Sequence, residues 1–148
     1  MSDYQDKIRV RSCGILVKDE SVLLVQLRSP ISRELIWTPP GGGVRLNEKL
    51  EQTVQREFFE ETSLTIAVKG LLHINEIIEN RFHAIEFFYL VEYVSGVLKL
   101  GNDPELSSKD QILEKIEFKN KEELKDIDVF PDYLKEQFWV DYASTAKS

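Results

Sequence analysis

Glu57, Glu60 and Glu61 are the residues of this sequence whose spacing could do chemistry. They stand at i, i+3 and i+4 within 48–62, a stretch free of Gly and Pro in which Leu50, Val54 and Phe58 recur at four-residue intervals. That period predicts a helix. At roughly 100° per residue the three carboxylates then fall within an arc of about 100° on one face. Like charges so placed repel by roughly 0.2–0.5 kcal/mol per pair. A hard divalent cation reverses the sign, because Mg²⁺ prefers carboxylate and phosphate oxygens. On this criterion alone a solvated acidic face would look the same. The run Pro39-Pro40-Gly41-Gly42-Gly43 just before the helix separates the two readings. Backbone there must turn sharply or approach a ligand closely, which sets loop amides or carbonyls beside the acids. Glu48 falls at the predicted helix start, where a carboxylate suits the positive end of the macrodipole.

The elements around this segment are mostly strands. Residues 8–18 and 22–27 are rich in β-branched types and flank the polar turn Asp19-Glu20-Ser21, which predicts a hairpin. A polar loop over 29–35 leads to the short apolar pair Ile36-Trp37. Residues 64–78 read as a strand with a bend or bulge at Gly70, and 82–94 as the strongest strand of the chain. Ser95-Gly96 should turn into a further short strand over 97–100. A last strand is expected over 112–118, a short helix over 121–125 and a closing helix over 132–142, entered through Pro131. The fold class is therefore α+β.

Composition bounds the rest. The chain has 148 residues, 19 Lys+Arg against 26 Asp+Glu and a formal charge of −7, the length of one domain, 1–148. The acidic balance argues against nucleic-acid binding, which needs a basic surface. No apolar run is long enough to span a bilayer, and the first seven residues are too polar for a secretory signal, so a cytoplasmic location is expected. Cys13 is the single cysteine; it can neither pair internally nor build a thiolate site and reads as small core filler. His73 and His83 lack a second His or Cys at ligand spacing, so zinc is not expected.

The segment also resembles the Nudix hydrolases. Their box is Gly, five residues, Glu, seven residues, then Arg-Glu-apolar-x-Glu-Glu-x-Gly-apolar. This chain supplies Gly42, Glu48, Arg56, Glu57, Phe58, Glu60, Glu61 and Leu64 at those positions. Ser63 stands where the family has Gly, and would have to end the helix in a left-handed conformation at a cost of roughly 1 kcal/mol. Arg45 and Asn47 also depart from the Glu and Gly common before the box Glu. The resemblance implies a mixed β-sheet sandwiched between helices, an α/β/α arrangement. It implies divalent-metal-dependent hydrolysis of a pyrophosphate bond in a nucleoside diphosphate linked to another group.

By position, Glu57, Glu60 and Glu61 would ligate Mg²⁺ or Mn²⁺, with the Gly41 carbonyl as an extra ligand. Glu48 would support the cluster and Arg56 would orient a carboxylate. The general base is Glu57 or a later loop acid, of which Glu105 is the best placed. Arg28, Arg33, Arg45 and His83 are candidate contacts for a small-molecule nucleotide substrate. The branch specific for ADP-ribose carries a Pro downstream of the box, where this chain has Glu79-Asn80-Arg81. A homodimer is compatible with the resemblance; a nucleic-acid or membrane partner is not expected. The alternative from another class is a Nudix-like sensor that binds its ligand without cleaving it. Degenerate binders usually lose box acids, and here all of them stand.

Overall fold

Ile8–Lys18 (β1) and Ser21–Arg28 (β2) form the expected hairpin, joined in register at Val17–Val22 and Lys18–Ser21. The computed structural model describes residues 6–29, 31–101 and 113–145. Beyond its hairpin end β1 leaves β2 and pairs instead with Gly41–Gly43 (β4), Arg11 opposite Gly43 and Cys13 opposite Gly41. The glycine run, expected to turn sharply or to approach a ligand closely, is a three-residue strand, because β1 has free edge groups there and glycines allow the close approach. Leu35–Thr38 (β3) pairs antiparallel with β2.

The helix α1 spans Leu50–Thr62. It is followed by two long antiparallel strands, Thr65–Glu79 (β5) and Phe82–Ser95 (β6). Their register shifts between Val68 and Gly70 and again between Leu71 and His73, which places an irregularity at Gly70 as expected. β6 runs parallel to β1, and Lys115–Asn120 (β7) pairs antiparallel with β2. The sheet order is β3-β2-β1-β6-β5, with β4 on β1 and β7 on β2.

Helices cover both faces of this mixed sheet. Toward α1, Leu16, Leu23, Leu64, Ile66, Tyr89 and Val91 close around Val54 and Phe58. The other face packs Cys13, Ile15, Leu24, Trp37 and Phe88 against Leu134 and Phe138. Those last two belong to a 3₁₀ turn, Asp132–Leu134, and to α3, Gln137–Thr145. The closing helix expected as one piece over 132–142 is therefore split. The short helix near 121 is Lys121–Leu124 (α2), capped by the Asn120 side chain accepting from Glu123 N–H at 2.9 Å. With both faces covered, β1 is buried without alternation from Ser12 to Leu16. No helix among the described residues is long and apolar enough to cross a membrane.

Residues 97–100 do not form the expected strand. Lys99 N–H donates to the Thr62 carbonyl at 2.9 Å and Gly101 N–H to the Glu61 carbonyl at 2.8 Å. The segment satisfies carbonyls that the end of α1 leaves without partners, so its donors do not go to a sheet.

Candidate active site

The site is built where α1 meets β4. Ser12 Oγ donates to the Leu50 carbonyl at 2.7 Å and, with the apolar seam around Val54 and Phe58, fixes the helix against β1. That placement turns the Glu57 and Glu61 side chains inward; the two residues are 0% and 3% exposed. Gly42 has no side chain to oppose Glu57: a Cβ built there would stand 2.4 Å from Glu57 Cδ. At Gly41 a Cβ would meet Cys13 Cα at 2.5 Å, and the Gly41 N–H donates to Glu61 Oε2 at 3.3 Å. The two glycines therefore let strand backbone and helix carboxylates share one space.

Arg56 knits the acids together. Its Nε and Nη2 donate to Glu48 Oε2 and Oε1 at 2.8 and 2.9 Å, Nη1 to Glu57 Oε1 at 2.8 Å and Glu60 Oε2 at 3.4 Å, and Nη2 to the Gly43 carbonyl at 3.2 Å. Glu48 lies just outside the helix, one residue before Lys49 at the N-cap. It also accepts from Thr53 Oγ1 at 2.6 Å and from the Arg45 N–H at 3.2 Å. The Arg56 guanidinium, with these two further donors, holds the Glu48 carboxyl down at about 2. Its bonds to Glu48 and Glu57 raise Arg56 further above its usual range, against a desolvation cost.

At the other end of α1, Ser63 adopts φ 65° and ψ 11°, the left-handed cap expected of it, with its N–H donating to the Phe59 carbonyl at 2.8 Å. Burial pushes the Cys13 thiol up to about 12, so it is an inert core residue.

The structure thus brings together Gly41, Glu48, Arg56, Glu57, Glu60 and Glu61. Of the substrate candidates, Arg45 adjoins this cluster through its backbone, while Arg28, Arg33 and His83 make their contacts elsewhere. Arg28, the last residue of β2, donates through Nη1 to the Arg33 carbonyl at 2.9 Å, and Arg33 sits at φ 68° in the loop that follows, with its N–H on the Ser29 carbonyl. Arg45 is exposed and meets Glu48 through its backbone. His83 Nε2 lies 2.9 Å from Glu76 Oε2 on the neighbouring strand. Glu105 lies outside the described residues.

Sequence reasoning missed four polar residues around this centre: Thr53, and the linked set Arg11, Glu86 and Asn75. Glu86, 1% exposed, interrupts the apolar run of β6 at an inward position, which is the signal that could have found it. It also missed a cavity of about 460 Å³ on the face opposite α1, lined by His73, Asn75, Phe130, Pro131, Tyr133 and Asp141 among others. In its wall the rings of His73 and Tyr133 stack at 4.1 Å. A second cleft of about 770 Å³, bordered by Leu16, Leu90, Leu98 and Phe118, takes in none of these carboxylates.

Among the described residues no three His, Cys, Asp or Glu side chains already form a ligand cage; Arg56 reaches Glu57 and Glu60 instead. The donor set nevertheless fits a hard cation. It is all oxygen, clustered on one helix face, and the space left by Gly42 brings the Glu57 carboxylate against β4.

A model of the NUDIX domain matches residues 8–134. The chain belongs to the Nudix family. Over 92 residues it is 34% identical to an ADP-ribose pyrophosphatase of Methanocaldococcus jannaschii, an alignment covering 61% of this chain and 54% of that one. The chain thus matches about half the length of this relative. Among solved structures it resembles a MutT NUDIX hydrolase of Burkholderia pseudomallei, at 27% identity and a TM-score of 0.64, covering 79% of this chain and 86% of that one. The E. coli ORF135 protein shares the fold at a TM-score of 0.72 and 20% identity, covering 93% of both chains.

Proposed function

We propose that this Nudix protein is a divalent-metal-dependent pyrophosphohydrolase acting on a nucleoside diphosphate linked to another group. The observation that carries this reading is the burial of Glu57 and Glu61 against the Gly41–Gly42 backbone, with Arg56 holding Glu48, Glu57 and Glu60 around them. Burying like-charged carboxylates side by side costs stability unless something positive repays it. Glu57, Glu60, Glu61 and the Gly41 carbonyl would hold Mg²⁺ or Mn²⁺, which when bound neutralises pyrophosphate charge and lowers the pKa of water.

The chain's own residues set the geometry. Arg56 orients the carboxylates through charge-assisted hydrogen bonds, and Glu48 fixes Arg56 from the far side. Glu57 is the first choice to take the proton of the attacking water, with Glu105 as the second. The name of the Methanocaldococcus relative makes ADP-ribose one substrate to try, although Glu79-Asn80-Arg81 stands where the ADP-ribose branch has its Pro.

The test is a phosphate-release screen with Mg²⁺ across nucleoside triphosphates, nucleotide sugars, ADP-ribose and dinucleoside polyphosphates. Turnover of at least one class is expected, abolished by excess EDTA and rising toward alkaline pH as a proton is lost. No turnover of any member with metal bound would turn the reading toward a non-cleaving sensor.

A further inference from the structure

Arg11 and Glu86 form an ion pair for which the proposed chemistry has no use. They are register partners on the parallel β1–β6 pair, and Arg11 Nη1 donates to Glu86 Oε2. Their side chains are 13% and 2% exposed. From β5, Asn75 Nδ2 donates to Glu86 Oε1 at 3.4 Å. Both oxygens of Glu86 therefore have a donor. Arg11 is the unequal member, because its buried Nε has no acceptor among the described residues. A guanidinium braced from behind by a carboxylate, with N–H groups to spare, is a fork shaped for an anion.

Stability alone does not account for the pair, since a buried ion pair is often no better than apolar side chains of the same volume. Its position supplies a reason. Arg11 lies opposite Gly43 in register, two residues along β4 from the Gly41 that contacts Glu61. On the other flank, Asn75 lines the cavity walled by His73 and Tyr133. The contacts run from that cavity through Asn75, Glu86 and Arg11 toward the acid helix. Arg9 adds a second positive charge nearby, its guanidinium 3.6 Å from where a Gly43 Cβ would stand.

We propose that Arg11, held by Glu86, binds a phosphoryl oxygen of the nucleoside diphosphate on the side of the pyrophosphate that the glutamate cluster does not hold. This rests on the pyrophosphohydrolase reading, but it makes a claim that can be read without turnover. The probe is ADP in excess EDTA, its affinity measured by calorimetry, alongside kinetics in Mg²⁺ on the substrate the screen identifies. Arg11→Gln alone would strand Glu86 in a dry site, so the main variant is Arg11→Met with Glu86→Leu, which replaces the pair by apolar side chains of similar size.

With folding checked by thermal melt, the double variant should bind ADP about tenfold more weakly or worse, with KM raised by a similar factor and kcat changed by less than about threefold. Arg11→Lys keeps the charge and loses the fork, and should weaken ADP by about threefold or more; it carries the same test if the double variant melts too low. Unchanged ADP affinity in the folded variants, or no ADP binding by the wild type, overturns the proposal. A wild type that turns over nothing while the affinity difference persists would sink the hydrolase reading and leave the anion site standing. Normal turnover with unchanged KM and ADP affinity would do the reverse.

Discussion

Arg56 grips Glu48 through two near-equal hydrogen bonds, Nε to Oε2 at 2.8 Å and Nη2 to Oε1 at 2.9 Å. The pair ties the loop before α1 to the middle of the helix, eight residues on, and it sets a pH signature. The Arg56 hydrogen bonds lower the Glu48 carboxyl from its ordinary 4.5 to about 2. A depressed folded-state value means stability that is fully present above pH 4.5 and lost as pH falls toward 2. Glu48→Gln should therefore lower the melting temperature at pH 7, by an amount corresponding to ~2 kcal/mol after solvent screening. The gap between wild type and variant should close by pH 2. Thermal melts across pH 2–7 check this, and a gap that is constant over the range would contradict it.

Glu61→Gln keeps the shape of a proposed ligand and removes its charge. Activity should fall by roughly two orders of magnitude or more. Metal-free stability should stay equal or rise by a few tenths of a kcal/mol as repulsion eases. Mg²⁺ should raise the melting temperature of the wild type more than that of the variant, because a ligand stabilises only the state that binds it. Normal turnover by the variant would remove this helix from the metal assignment.

Gly42→Ala tests the close approach of β4 to the acids. The new methyl would stand 2.4 Å from Glu57 Cδ, so the carboxylate must move. The expected result is a stability loss of about 1–3 kcal/mol and a smaller thermal gain on adding Mg²⁺ than the wild type shows. An alanine variant with wild-type stability and metal response would show that Glu57 has other room.

Ser63→Gly addresses the departure within the box. At φ 65° a serine pays a conformational cost that glycine does not. The substitution should stabilise the fold by about 1 kcal/mol, a rise of about 2–4 °C for a domain of this size. A lower melting temperature would mean that the Ser63 side chain contributes something the cap geometry does not show.

How much of this was legible beforehand depended on where each contact reaches. The acid face of α1 could be read from Glu57, Glu60 and Glu61 because helical periodicity is local and the family spacing is specific. The hairpin of β1 and β2 was readable for the same reason. Residues 97–100 have strand composition, yet the donors of Lys99 and Gly101 go to α1 carbonyls some forty residues back, and no local pattern records such a partner. Arg11 and Glu86 are 75 residues apart; alone, Arg11 resembles a polar residue on a half-exposed strand and Glu86 a break in an apolar run, and neither names its partner. Their union exists only because β1 and β6 run parallel and in register. Arg28 and Arg33 are a different case: their positive charge suggests phosphate, while the contact the structure shows is Arg28 donating to the Arg33 carbonyl.

The attachment of Lys99 and Gly101 to the carbonyls of Thr62 and Glu61 has a dynamic consequence. Helix ends usually fray, and fraying here would loosen the turn that carries Glu60 and Glu61. With two backbone amides from the chain after β6 pinned to it, that turn can open only if the pinned segment lifts as well. Amide hydrogens at Lys99, Gly101 and Ser63 should then exchange with solvent as one cooperative unit, with similar opening free energies, instead of grading toward the terminus. The spacing of the last two acids is in this way guarded by backbone bonds from a stretch of chain some forty residues downstream.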